Sequence, residues 1–242
     1  MISEKLKIQL GSWKSLYPFF ESGAWTKIKE QIKPDFSKTT PEIDVWFKAF
    51  KECNQDSLKV VWLGLSPYYT TDSYTKKNVA DGLAFSTDTK HSVPPSLFQL
   101  YKGYESDEHG GMNLYLVRNN DLTFLANQGV LLLNSALTTT YGNPDSHLEV
   151  WQPFILNVIE VLNKQEGIIF CGFGKVANEL LTRVDKTKHI VFEREHPAAA
   201  AYRGGSWKHD KLFTKVNEQL EKLGKEAIAW DKFYVDFEPA PF

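Results

Sequence analysis

Residues 64–86 read GLSPYYTTDSYTKKNVADGLAFS, and an apolar run, Val60-Val61-Trp62-Leu63, leads into them. The run ends on a glycine and a Pro-Tyr-Tyr turn, which marks the end of a buried strand. A polar loop follows, and the segment closes on Gly82-Leu83-Ala84-Phe85-Ser86. Three further apolar runs resemble the first, so strands are expected at Leu58–Leu63, Val130–Leu133, Ile168–Cys171 and His189–Phe192. They are near-continuous rather than alternating, as in a parallel sheet covered on both faces. Helical patterns separate them: Leu97–Tyr104, Trp151–Leu162 with Pro153 in its first turn, Val176–Leu181, and Lys211–Leu223, which stops at Gly224. This alternation predicts an α/β fold with a central four-stranded parallel sheet flanked by helices. Sites in such sheets sit at the carboxyl ends of the strands. Ser66, Asn134 and His196 each lie just past a predicted strand, so all three point to one edge.

The length of 242 residues suits one domain over 1–242, with a helical part at 1–57 and a motif-bearing core at 58–230. A hydrophobic content of 42%, with 14% aromatic, is enough for a sizeable core. Cys53 and Cys171 are too few and too far apart for a disulfide framework or a zinc site, which suggests a reducing, cytoplasmic setting. No His or Cys pair has ligand spacing, so neither a metal nor another cofactor is expected. The first residues, MISEKLKIQL, lack the apolar centre of a signal peptide, and no run approaches a bilayer span, so no membrane partner is expected. The net charge of −2 is unusual for a nucleic-acid-binding domain. Binding needs only a local positive face, however. Lys208 and Lys211 lie near Arg203, and Lys76 and Lys77 follow the first motif, so DNA affinity should be modest and salt-sensitive.

The opening segment resembles the first active-site motif of the uracil-DNA glycosylases, in which a strand ends in Gly-Gln-Asp-Pro-Tyr-His and leads to Gly-Leu-Ala-Phe-Ser. Other blocks follow in family order. Pro94-Pro95-Ser96-Leu97 resembles the proline-rich loop. Gly129–Asn134 with Leu137-Thr138 resembles the base-reading strand, and Ser146-His147 with Trp151 fits the next segment. His196-Pro197 with Tyr202-Arg203-Gly204 resembles the DNA-intercalation loop.

The resemblance implies hydrolysis of the N-glycosidic bond of a flipped pyrimidine in DNA. Such a reaction builds positive charge on the sugar and negative charge on the base. It needs a pocket for the flipped base, groups that read its edge, and a positioned water. By resemblance, Phe85 stacks on the base, Asn134 pairs with its edge, and Tyr68 closes the pocket beside Leu65. His196 donates to a carbonyl oxygen of the leaving base, where charge develops. Ser96, Ala198, Ala200, Tyr202, Arg203 and Lys208 are the expected DNA contacts. A replication or inhibitor protein is a further partner that the family suggests.

Ser66 stands where the family has the Asp that handles the attacking water. Loss of a general base typically costs on the order of 10²–10⁴ in rate. Leu65 and Tyr69 replace a Gln and a His. The loop Thr70–Asp81 is longer than the family's connection and rich in polar groups. The Ser and Leu that follow His-Pro in the family are replaced by alanines. Asp81, next to Gly82, is the expected substitute carboxylate, ahead of Asp72. Three readings of the chemistry stay open: excision of a 5-substituted, phage-type base, ordinary uracil excision, and a catalytically silent DNA-binding or replication protein. A reading from another class comes from Gly172-Phe173-Gly174-Lys175-Val176-Ala177, which follows a strand and opens a helix as a dinucleotide fingerprint does.

Overall fold

The predicted apolar runs form the central sheet, and each strand extends one or two residues further at its C-terminal end than the pattern indicates. In a computed structural model that describes residues 2–91, 93–109 and 117–235, the first half of the chain runs α1 (Glu4–Leu10), α2 (Tyr17–Glu21), α3 (Ala24–Ile32), β1 (Thr39–Thr40), α4 (Lys48–Glu52), β2 (Val60–Gly64), α5 (Pro95–His109) and β3 (Val117–Arg118). The second half runs α6 (Thr123–Ala126), β4 (Val130–Asn134), β5 (Thr139–Thr140), α7 (Leu148–Leu162), β6 (Ile169–Phe173), α8 (Lys175–Leu181), β7 (Ile190–Arg194), α9 (Pro197–Tyr202), α10 (Leu212–Lys222) and β8 (Tyr234–Val235).

The central sheet has the order β4-β2-β6-β7, and every pairing in it is parallel. Every residue of β2, β4 and β6 is buried, which explains their unbroken apolar sequence. The fourth strand departs from that expectation. It lies at the edge, is mostly half-buried and exposes Glu193. The register sets Gly64 opposite Asn134 at the carboxyl end of the sheet.

Pro153 lies inside α7 rather than in its first turn, because the helix begins at Leu148. The glycines of the fingerprint-like segment serve the fold itself. A Cβ on Gly172 would stand 2.4 Å from Asn178 Oδ1 and 2.8 Å from Leu181 Cδ1. Gly174, at φ +92°, lets the His196 side chain approach to 3.1 Å of where a Cβ would be. The space a pyrophosphate would need is therefore taken by protein.

One continuous buried cluster runs from Ile2 to Phe233, so the N-terminal helices share the core of the sheet. Their contribution is aromatic. Trp25, Trp46 and Phe47 pack around Trp151 of α7 with centroids 5.9–6.1 Å apart. A short antiparallel pairing of β1 with β5 ties residues 39–40 to the loop after β4. On the other side of the core, Trp62 stacks on Trp230 at 5.6 Å and meets Phe173 edge-on.

Candidate active site

The ends of β2 and β4 are joined by main-chain bonds that continue past the sheet. Ser135 N donates to Gly64 O at 3.0 Å, and Ala136 N donates to Leu65 O at 3.2 Å. Both strand ends thus open into one cavity of about 660 Å³. Its lining includes Leu65, Ser66, Tyr68, Phe85, Ser96, Asn134, Ala198, Tyr202 and His196, most of the residues singled out from sequence.

Asn134 is only 8% exposed, yet among the described residues no protein group bonds its side-chain amide. An unengaged amide in an apolar pocket is costly unless a ligand pairs with it. Phe85 forms a wall, its ring packed edge-on against Phe173 at 5.0 Å and tilted toward His196 at 5.7 Å. Its backbone sits at φ +67°, a region that costs a bulky residue on the order of 1–3 kcal/mol. Two bonds hold it there: Ala84 N donates to Leu132 O, and the Tyr68 hydroxyl donates to Phe85 O at 2.8 Å. That hydroxyl has spent its proton, so Ser96 Oγ, 3.0 Å away, must donate to it. Tyr68 is therefore pinned, and burial pushes its phenol well above the usual range.

His196 caps α9. Its Nδ1 accepts from Ala198 N at 3.2 Å, which fixes the tautomer with the proton on Nε2. Burial pushes its pKa down to about 4, and the nearby Asp145 acts in the opposite sense. The ring is a neutral donor with its N–H directed away from its own helix.

The acid at the cavity is not the expected one. Asp81 Oδ1 accepts from Leu83 N, and Oδ2 accepts from Ser86 Oγ at 2.7 Å and Lys48 Nζ at 3.0 Å. It braces the Gly-Leu-Ala-Phe-Ser turn, its oxygens are occupied by protein donors, and it does not line the cavity. Asp72 accepts from Tyr74 N and Thr75 N and closes the tip of its own loop. The carboxylate that does line the cavity is Asp145, and Ser66 Oγ donates to its Oδ1 at 2.6 Å. The turn that carries Asp145 is held by a chain of bonds. Trp151 Nε1 donates to Thr138 Oγ1 at 2.7 Å, and Thr138 Oγ1 lies 2.9 Å from His147 Nδ1. Ser146 Oγ accepts from Thr140 N at 2.9 Å. A sequence signal for Asp145 was at hand, since it immediately precedes the Ser146-His147 pair.

Tyr69, Pro144 and three residues of the long loop, Thr70, Thr71 and Val79, also line the cavity. The expected DNA contacts divide. Tyr202 is 79% exposed at the rim, and Arg203 is exposed and paired with Glu195. Lys208 is exposed but lies outside the cavity. Ala200 is 1% exposed, because this side of α9 packs into the core, so its side chain cannot meet DNA. Ser96 is buried and its hydroxyl is committed to Tyr68.

Comparisons with known proteins agree with this geometry. A family model described as the Uracil DNA glycosylase superfamily matches residues 50–221. A uracil-DNA glycosylase of Acinetobacter baumannii (strain AYE) is 36% identical over 231 residues, 93% of each chain. One of Campylobacter jejuni subsp. doylei is 34% identical over 233 residues, covering 94% of this chain and 95% of the other. In fold, the chain is similar to the crystal structure of mimivirus uracil-DNA glycosylase, with a TM-score of 0.82 at 24% identity over 93% of this chain and 88% of that one. The UNG of Nitratifractor salsuginis gives 0.59 at 19% identity, with 91% and 92% covered. No helix among the described residues is long and apolar enough to cross a membrane. With its four-stranded parallel sheet and its motif blocks gathered at one edge, the chain belongs to the uracil-DNA glycosylase superfamily of DNA N-glycosylases.

Proposed function

We propose that this protein excises a flipped pyrimidine from DNA and that the base carries a polar 5-substituent. The observation that carries the reading is the extent of the cavity. It joins Phe85, Asn134 and His196, then continues past Tyr68 to Thr70, Thr71 and Val79 of the long loop and to Val93 and Pro94. The unengaged Asn134 amide offers one donor end and one acceptor face to a base edge. The His196 Nε2–H can receive the charge that develops on a base carbonyl. Hydroxyls of Thr70 and Thr71 supply partners for a substituent that a bare uracil lacks. DNA is the macromolecular partner, with the exposed Tyr202 at the cavity rim and the exposed Lys208 outside it as its first contacts.

A second reading, ordinary uracil excision, is favoured by one observation. Tyr68 is held through both its bond to Phe85 O and its bond to Ser96, so its ring is not free to swing aside for a bulky group. The curated relatives are also named for uracil. A glycosylase assay on oligonucleotides that differ only in one base separates the two. Faster release of 5-hydroxymethylated or glucosylated pyrimidine than of uracil supports the first reading. Release of uracil alone supports the second.

A further inference from the structure

We propose that Asp145 is the catalytic carboxylate of this site and that Ser66 is its positioning residue. The assignment rests on the glycosylase reading above. In this chain the segment just past β2 carries a hydroxyl, Ser66, and the charge comes instead from the turn after β5.

Three observations support it. Asp145 lines the same cavity as Phe85, Asn134 and His196. Among the described residues no ion pair involves its carboxylate, whereas Asp81 is neutralised by Lys48 at 3.0 Å. A carboxylate without a cation is what a nascent sugar cation requires. The turn is also built to aim it. Asp145 sits at φ +65°, a conformation Asp tolerates better than most residues, and its carbonyl accepts from Leu148 N at 3.1 Å. The Ser66 hydroxyl fixes one carboxylate oxygen at 2.6 Å and leaves the other for water.

The step balances without a cofactor. The C1′–N bond breaks and its electron pair leaves with the base, whose carbonyl oxygen accepts from His196 Nε2–H. The water oxygen bonds to C1′ and its proton passes to Asp145. That proton then goes to the departing base, which leaves neutral beside an abasic sugar.

The test is single-turnover release of base by the full chain from oligonucleotides carrying uracil, 5-hydroxymethylated or glucosylated pyrimidine. Asp145→Asn should slow release on the order of 10²–10⁴-fold with affinity for the same oligonucleotide within about threefold of wild type. Ser66→Ala should slow release about tenfold at unchanged KM, and Ser66→Thr should restore it. The double variant S66D/D145N moves the carboxylate to the other end of the same hydrogen bond and should recover part of the rate that D145N loses. Release by Asp145→Asn within about threefold of wild type overturns the assignment and leaves the glycosylase reading intact. If Asp145→Asn does not fold, equal rates in Ser66→Ala and Ser66→Thr overturn it instead. No release by the wild-type chain from any oligonucleotide overturns both.

Discussion

Gly64 and Asn134 face each other across two parallel strands, so closely that a Cβ on the glycine would stand 2.6 Å from Asn134 Oδ1. The Asn134 amide, which the proposed function assigns to reading the base, occupies the space that the missing side chain leaves. Gly64→Ala should therefore displace the amide at little cost to the fold, since the end of a short side chain can rotate away. Losing two base-edge hydrogen bonds, at about 1.4 kcal/mol each, lowers excision on the order of 10²-fold. Excision kinetics beside a thermal melt check this. Unchanged excision would show that Asn134 does not read the base.

His196 gives the site a distinctive pH response. With its pKa pushed down to about 4, the ring stays neutral where an ordinary histidine is already charged. The tautomer with Nε2–H should hold from pH 8 down to 5, and excision should show no inflection near 6.5 from this group. As pH falls through 6.5 the unfolded chain takes up this proton first. Stability present above 6.5 is thus lost between 6.5 and about 4, with no further loss from this group below. An NMR titration of the ring resonances is the direct check, and a midpoint near 6.5 would contradict it.

Asp81 should matter for stability rather than chemistry. Its side chain is 5% exposed and its ion partner Lys48 19% exposed. Breaking one side of such a buried pair costs about 3 kcal/mol, which lowers Tm by roughly 10 °C in a chain of this size. Asp81→Asn should show this loss and keep most of its excision rate at a temperature where it is folded. A large rate loss with an unchanged melt would return Asp81 to the chemistry.

We expect Tyr202 to supply the DNA contact that the alanines after His196-Pro197 cannot make. It projects from the end of α9, 79% exposed, and lines the cavity together with Tyr69. Stacking of one base on an aromatic ring contributes about 1–3 kcal/mol. Tyr202→Ala should slow excision from duplex DNA about tenfold or more and affect single strands less. Equal losses on both would mean that Tyr202 only grips the strand.

The strand ends were legible because buried parallel strands leave unbroken apolar runs, and those ends alone placed Ser66, Asn134 and His196 at one edge. The Ser66–Asp145 bond was not legible. It joins residues 79 positions apart, across strands that meet only in the folded sheet. Proximity in sequence to Gly82 points to Asp81, whose carboxylate is spent on its own turn. The burial of Ala200 escaped for a related reason: an all-alanine stretch carries no periodicity to show which side of α9 faces inward.

The Trp151 indole has two sets of neighbours. On one side it is packed by Trp25, Trp46 and Phe47 from the first fifty residues, and on the other it donates to Thr138, which holds His147 next to Asp145. The aromatic N-terminal part is in this sense the mounting of the site. A chain trimmed to begin at Val60 would retain every side chain that lines the cavity and lose the support that keeps them in line.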